Sequence, residues 1–381
     1  MKIGIDASRN RSGGAIAHIV GLIEAISAID KFDVQEIHLW AHCKLLDKIP
    51  DKPWLIKHNH YYLEKNIFLQ AFWQRFILKK ELKINQCSVV FNSSASSICN
   101  FQPSVTLSQD MLPFEPGEMQ RYKYGLGRLR LSILKIVYIN ALKSASAVIF
   151  LTNYAASMIQ KVTGPIKNYK VIPHGVNDSF RNVSEHEMLK NDSSEIECIY
   201  VSGIAPYKHQ WHVVRAVKLL RDEGINVSLS LIGGGTGESL NRLNQEIQLS
   251  DPENIFVKKY PFIPINEIPK LLSKSDIFIF ASSCENMPIT LIEGMASGVP
   301  IACSDRGPMP EVLQDGGTFF DPESPESIKQ AIYKIIEDPI LRKSTVDRSL
   351  NLSLEYQWSK CADDTISFLV ETCIKELKQT H

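Results

Sequence analysis

The feature that most constrains this chain is a repeated grammar of short apolar strand, turn and amphipathic helix, which runs through it twice. The opening KIGIDAS reads as a buried parallel strand, and RSGG before AIAHIVGLIEAIS as a glycine turn feeding a helix. EIHLWA, CSVVFN, SVTLSQD, SAVIFLT and NYKVIP follow as further strands. The pattern restarts at IECIYVSG and continues through the helix WHVVRAVKLLRDEG, VSLSLIGGG, NIFVKKYPF, the helix EIPKLLSKS, DIFIFASS and VPIACSD, over residues 196–305. Strands that alternate with helices build parallel sheets covered on both faces, so two such stretches predict an α/β protein with two doubly wound sheets. The length agrees, since 381 residues exceed what one core organises.

The polar stretch NDSFRNVSEHEMLKNDSSE, residues 177–195, has no periodicity and reads as the linker. Three segments are therefore expected: a first domain over 1–178, a second over 179–357, and a helix within 358–381 crossing back to the first. No run approaches the roughly 18 apolar residues that span a bilayer, and the opening lacks the pattern of an export signal. A cytoplasmic protein is expected. The 42 basic and 42 acidic residues cancel, which gives no global pull towards nucleic acid. Eight cysteines stand without zinc-ligand spacing and read as reduced core residues. Two segments are basic and amphipathic: NIFLQAFWQRFILKKELK, with Arg75, Lys79, Lys80 and Lys83 beside Phe68, Phe72, Trp73 and Phe76, and RYKYGLGRLRLSILKIVY, with Arg121, Lys123, Arg128, Arg130 and Lys135. They read either as ordinary surface helices or as a patch resting on an anionic membrane.

Chemistry concentrates in ASSCENMPITLIEGMASGVPIACSDRGPMPEVL, residues 281–313. After the strand DIFIF, Asn286 and Pro288 suit a helix cap and first helical position, and Gly298 a left-handed close. That helix would point its N-terminus at the sheet edge where open α/β sheets bind ligands. Glu285 falls at the mouth, where it suits sugar hydroxyls or positive charge developing on an anomeric carbon. Glu293, inside the helix, suits the paired hydroxyls of a ribose, because each carboxylate oxygen accepts one O–H.

This segment resembles the glutamate, seven residues, glutamate signature of the family-4 retaining glycosyltransferases of GT-B fold. YVSGIAPYKHQWHVVRAVKLL is similar to their strand, loop and helix bearing a phosphate-binding lysine, VIPHGV to their domain junction, and PIACSDRGPMPEVLQDGGTFFDPESPESI to their closing signature. The resemblance implies two Rossmann-like domains facing a cleft, a nucleoside diphosphate sugar donor, transfer with retention, and neither metal nor other cofactor. It places Lys208 on the donor diphosphate, Gly13 and Gly14 in the first-domain glycine loop, and Asn286, Met287 and Ile289 with Glu293 in the donor set. SQDMLPFEP resembles the segment that presents a histidine or aspartate to the transferred sugar. Gln109 takes the histidine-like position here, which leaves Asp110 as the polar group facing the sugar, or both as hydrogen-bonding partners. Where many relatives carry an arginine five residues before the lysine, this chain has Gly203; Arg306 is a candidate replacement.

His18 is expected on the acceptor side, and His174 reads as structural. The base is expected between the strand end LIGGGTGES and the segment around Tyr260 and Phe262. The fitting activity is transfer of a hexosyl group, mannose- or rhamnose-like, to a glycan or lipid-linked acceptor in cell-surface polysaccharide synthesis, at the inner face of the plasma membrane. A silent nucleotide-sugar-binding scaffold and a nucleotide-sugar epimerase are the alternatives. A dehydrogenase is disfavoured, since neither strand-to-helix turn shows G-x-G-x-x-G with an acid about twenty residues on.

Overall fold

The computed structural model describes residues 1–11, 13–122, 125–181 and 195–379. Lys123 and most of the expected linker, residues 182–194, lie outside the described residues. The chain divides into two compact units, Met1–Gly175 with Gln357–His381, and Val176–Tyr356.

The first unit holds a seven-stranded parallel sheet of β1 (Lys2–Asp6), β2 (Glu36–Trp40), β3 (Leu55–His58), β4 (Val89–Asn92), β5 (Ser104–Leu107), β6 (Ala147–Phe150) and β7 (Tyr169–Val171), in the order β3-β2-β1-β4-β5-β6-β7. Every residue of β4, β5 and β6 is buried, as a sheet covered on both faces requires. The helix Gly13–Ala25 buries Ile19, Leu22 and Ile23, each worth about 1.5–3 kcal/mol. Gly13 enters it with φ of +55°, a conformation that favours glycine. The helix Trp358–Gln379 packs on that helix and on β4 and β5. Its Trp358 needs close neighbours without side chains, because a Cβ on Gly21 would lie 2.4 Å from the indole. The helix Asn153–Thr163 starts at Thr152, whose side chain accepts from the Ala155 N–H.

The second unit repeats the plan with β8 (Ile196–Val201), β9 (Val227–Ile232), β10 (Val257–Tyr260), β11 (Ile277–Phe280), β12 (Ile301–Ser304) and β13 (Thr318–Phe320), parallel throughout in the order β10-β9-β8-β11-β12-β13. In each sheet the order turns back on itself once, between β1 and β4 and between β8 and β11. Such switch points open a crevice beyond the strands' C-terminal ends. The short strands β3 and β13 escaped the sequence pattern, which needs longer alternation to register.

One detail of the signature helix differs from expectation. It spans Ile289–Ala296, and Pro288 occupies the capping position instead of the first helical one. The Ile289 N–H is taken by the Met287 carbonyl at 3.1 Å, a tight turn that delays the helix. Asn286 lies buried in the loop before it. At the other end Gly298 has φ of +70°, the left-handed close that the sequence predicts.

Candidate active site

In the second unit, the loop after β8 and the loop after β11 meet at the switch point. Lys208 comes from the first and Glu285 from the second, 77 residues apart, and their side chains form an ion pair. The Lys208 ammonium also lies 5.4 Å from the ring centres of Tyr207 and Phe280, aromatic faces that suit a cation. Both charges are largely covered, so their attraction is weakly screened by water.

The backbone around the pair is tied down by three further bonds. The Tyr200 hydroxyl donates to the Lys208 carbonyl at 2.7 Å, and the Ser283 N–H to the Tyr207 carbonyl at 2.8 Å. His209 Nε2 lies 2.9 Å from Ser283 Oγ. His209 itself has φ of +51°, sparsely populated for a residue with a Cβ, at the capping position of the helix Gln210–Asp222. Sequence reasoning missed this clamp, because nothing local relates His209 to Ser283.

Glu293 stands within the signature helix, beyond Asn286, Met287 and Ile289 at its mouth. Burial pushes its carboxyl up to about 7, since a charge in this setting loses hydration. Gly203 carries no cation, yet a Cβ there would meet only the Gly234 carbonyl at 3.6 Å, so its lack of a side chain is not a packing demand. Arg306 bonds to Asp305 at 3.1 Å and Asp321 at 3.0 Å, which already neutralise it.

Beside this pair lies a cavity of about 240 Å³ lined by Tyr200, Ser202, Gln210, Gly233, Lys259 and Pro261, among others. Its wall requires glycine: a Cβ on Gly233 would sit 2.2 Å from the Ser202 carbonyl. Gln210 Nε2 donates to the Gly203 carbonyl at 3.0 Å, which leaves its buried Oε1 without a partner. The cavity lies between the two segments expected to flank the base, the glycine-rich end of β9 and the stretch around the end of β10. Lys259 and Pro261 are among its lining residues, and Tyr260 and Phe262 beside them are exposed.

The first unit carries the remaining expected residues. Gly13 and Gly14 open a helix with no acid in its first turn, which leaves its N-terminal dipole available to an anion. Asp110, exposed after β5, accepts the Tyr138 hydroxyl at 2.7 Å, and the buried Nε2 of neighbouring Gln109 has no partner. His18 is 2% exposed, with Nδ1 2.9 Å from Nδ1 of His174 and both rings beside Trp358. Burial lowers its pKa to about 3, and burial with the neighbouring His18 pushes His174 down too. At the β1–β4 switch point, Asp6 is fully engaged. It accepts from the Ser8 N–H and hydroxyl, Gln74 Nε2 at 2.8 Å and Ser97 Oγ at 2.8 Å. The sequence signal for this network was an acid closing an otherwise apolar strand.

Comparison with known proteins accords with this geometry. Residues 184–350 match the family model described as Glycosyl transferases group 1. The chain is 25% identical over 169 residues to the O-antigen chain mannosyltransferase B of Escherichia coli, covering 44% of each chain. It is 27% identical over 215 residues to the GDP-mannose-dependent alpha-(1-6)-phosphatidylinositol monomannoside mannosyltransferase of Mycolicibacterium smegmatis, covering 51% of this chain and 54% of that one. The chain thus spans about half the length of the curated relatives it matches. The structure of Anabaena HepE in complex with UDP and glucose superposes with a TM-score of 0.74 at 18% identity, covering 96% of this chain and 98% of that one. At that identity the likeness speaks for the fold, two parallel-sheet Rossmann-like domains of GT-B type. The chain accordingly has the GT-B fold, and its residues 184–350 are similar to the glycosyl transferases group 1 family.

Proposed function

We propose that this chain is a retaining, metal-independent glycosyltransferase of family 4. It moves a hexosyl group, mannose- or rhamnose-like, from a nucleoside diphosphate sugar to a glycan or lipid-linked acceptor of cell-surface polysaccharide. The observation that carries the reading is the Lys208–Glu285 pair at the β8–β11 switch point, with Glu293 half-buried in the helix that follows Glu285. An ammonium held there is placed for the donor diphosphate, and Glu285 stands beside the reacting sugar. Glu293 accepts the ribose hydroxyls, whose O–H bonds favour its charged form and offset the burial that now opposes it. The neighbouring cavity takes the base.

In the reaction, the bond from the anomeric carbon to the diphosphate oxygen breaks while the acceptor oxygen bonds on the same face. The acceptor's proton passes to the leaving phosphate, so no enzyme nucleophile is required. In the first unit, Gln109, Asp110 and the Gly13–Gly14 helix entrance are the candidate groups for sugar and phosphate. The mannosyltransferase names of the relatives support the sugar guess, and those whose names include O-antigen or phosphatidylinositol support the acceptor class. A lipid-linked acceptor also suits peripheral contact with an anionic membrane at its cytoplasmic face.

The test is thermal shift against UDP-, GDP-, ADP- and dTDP-sugars, with the wild type and Glu293→Ala. A ligand bound only by the folded chain raises its melting temperature. A shift with one nucleotide, lost in the variant, is the expected result. No shift with any of them would transfer the weight to a silent scaffold.

A further inference from the structure

The outer face of residues 66–84 is built for something other than folding. The helix Ile67–Phe72 runs through a π-helical turn, Trp73–Ile77, into the helix Leu78–Ile84. Its inner face is already occupied, with Trp73, Leu78 and Leu82 fully buried in one core cluster with Trp40 and Leu63. Yet the opposite face shows Phe68, Phe72 and Phe76 in a row of four-residue steps, 81%, 47% and 57% exposed. Rings 72 and 76 lie 5.1 Å apart, so the row is continuous over at least one turn. Exposed phenylalanines cost solubility and mark a surface that is covered in use.

The charge around the row indicates by what. Arg75, Lys80 and Lys83 are exposed beside it. Glu81, the one acid of residues 65–84, lies within 3.4 Å of Trp73 Nε1 and 3.9 Å of His60. The helix Leu126–Ser144 of the same unit repeats the device, with Leu129, Ile133 and Ile136 exposed, basic Arg128, Arg130, Lys135 and Lys143, and no acid. Arg9 connects the two elements, reaching Gln70 of the first at 3.5 Å and lying in the field of Arg130 and Tyr138 of the second. This local excess stands out on a chain of zero net charge. No helix among the described residues is long and apolar enough to cross a membrane, so any bilayer contact made by these helices is superficial.

We propose that the Phe68–Phe72–Phe76 row, ringed by Arg75, Lys80 and Lys83 and seconded by the Leu126–Ser144 helix, docks this unit on an anionic lipid bilayer. The rings enter the headgroup boundary and the cations meet the lipid phosphates, the arrangement of interfacial amphipathic helices. The inference rests on transfer to a lipid-linked acceptor for its purpose, but its test reads no transfer.

That test is co-sedimentation of the full chain with vesicles of phosphatidylcholine alone and of phosphatidylcholine with phosphatidylglycerol. Wild type is expected to pellet with the anionic vesicles at low salt and to be released by high salt. The triple variant Arg75→Gln, Lys80→Gln, Lys83→Gln should lower the partition about a hundred-fold. Phe68→Ser, Phe72→Ser, Phe76→Ser should abolish pelleting with an unchanged melting temperature, since all three side chains lie outside the core. Equal binding to both vesicle types, no binding, or undiminished pelleting of the phenylalanine variant overturns the proposal. So does a vesicle-independent dimer that the serine variant dissolves, because the row would then be an interface between copies. A failed nucleotide response with intact vesicle binding would sink the transfer reading and leave the surface standing.

Discussion

The buried histidines of the first unit and the half-buried glutamate of the second respond to pH in opposite directions. His18, with its pKa lowered to about 3, stays neutral in the folded chain while an unfolded one takes up protons near 6.5. Its contribution is whole above about pH 6.5 and is lost as pH falls towards 3. Glu293, raised to about 7, stays protonated in the folded chain where an unfolded one has ionised. Its contribution is whole below about pH 4.5 and is lost as pH rises through about 7. The contrast separates two uses of burial. The histidines sit beside Trp358, where a neutral aromatic ring is all the packing requires. The glutamate sits in the candidate site, where a ligand's hydroxyls would relieve the cost of its charge.

Function should break the symmetry most. Glu285→Gln keeps the shape but removes the charge that Lys208 holds, and is expected to lower turnover with saturating donor by about a hundred-fold or more. Near-normal turnover would remove Glu285 from the chemistry. Next comes stability at alkaline pH: Glu293→Gln should be more stable than wild type by about 3 kcal/mol at pH 8 and by little at pH 5, read from urea midpoints. A variant equal to wild type at both would show that the acid is not under strain.

The corresponding acid effect is smaller. Between pH 7 and pH 5 the His18 contribution should fall by about 2 kcal/mol. Hydrogen exchange, corrected for intrinsic rates, locates the loss: amides of Gly13–Ala25 should lose protection, and those of Ile289–Ala296 should not. Uniform loss would mean that the two units open together. The finest probe is a matched pair of helix caps. Thr152→Ala in the first unit and Ser324→Ala in the second, each removing a hydroxyl that accepts a backbone N–H at a helix entrance, should cost about 1 kcal/mol apiece. Two separable transitions, each shifted by only its own variant, would establish that the units melt independently.

Much of this was legible in the sequence, for reasons that differ by residue. The two sheets announced themselves through apolar runs of strand length, and Gly298 through the left-handed conformation that favours it. Glu285 and Lys208 were recognisable from the segments around them, but their contact joins two loops 77 residues apart and has no local trace. The same distance problem hid the contact between His18 and His174, separated by 156 residues. The segment around Tyr260 and Phe262 was legible as cavity wall, but which of its residues line the cavity, Lys259 and Pro261, has no local trace.

The division of the chain also sets an order of assembly. The second unit is one continuous stretch, Val176–Tyr356, and the first is interrupted by it. A ribosome therefore delivers the whole second unit before the helix that carries Trp358 against His18 and His174. The part that begins first is finished last, and until then the nascent first unit must keep the surface meant for Trp358 uncovered, where a chaperone or a neighbouring chain can reach it.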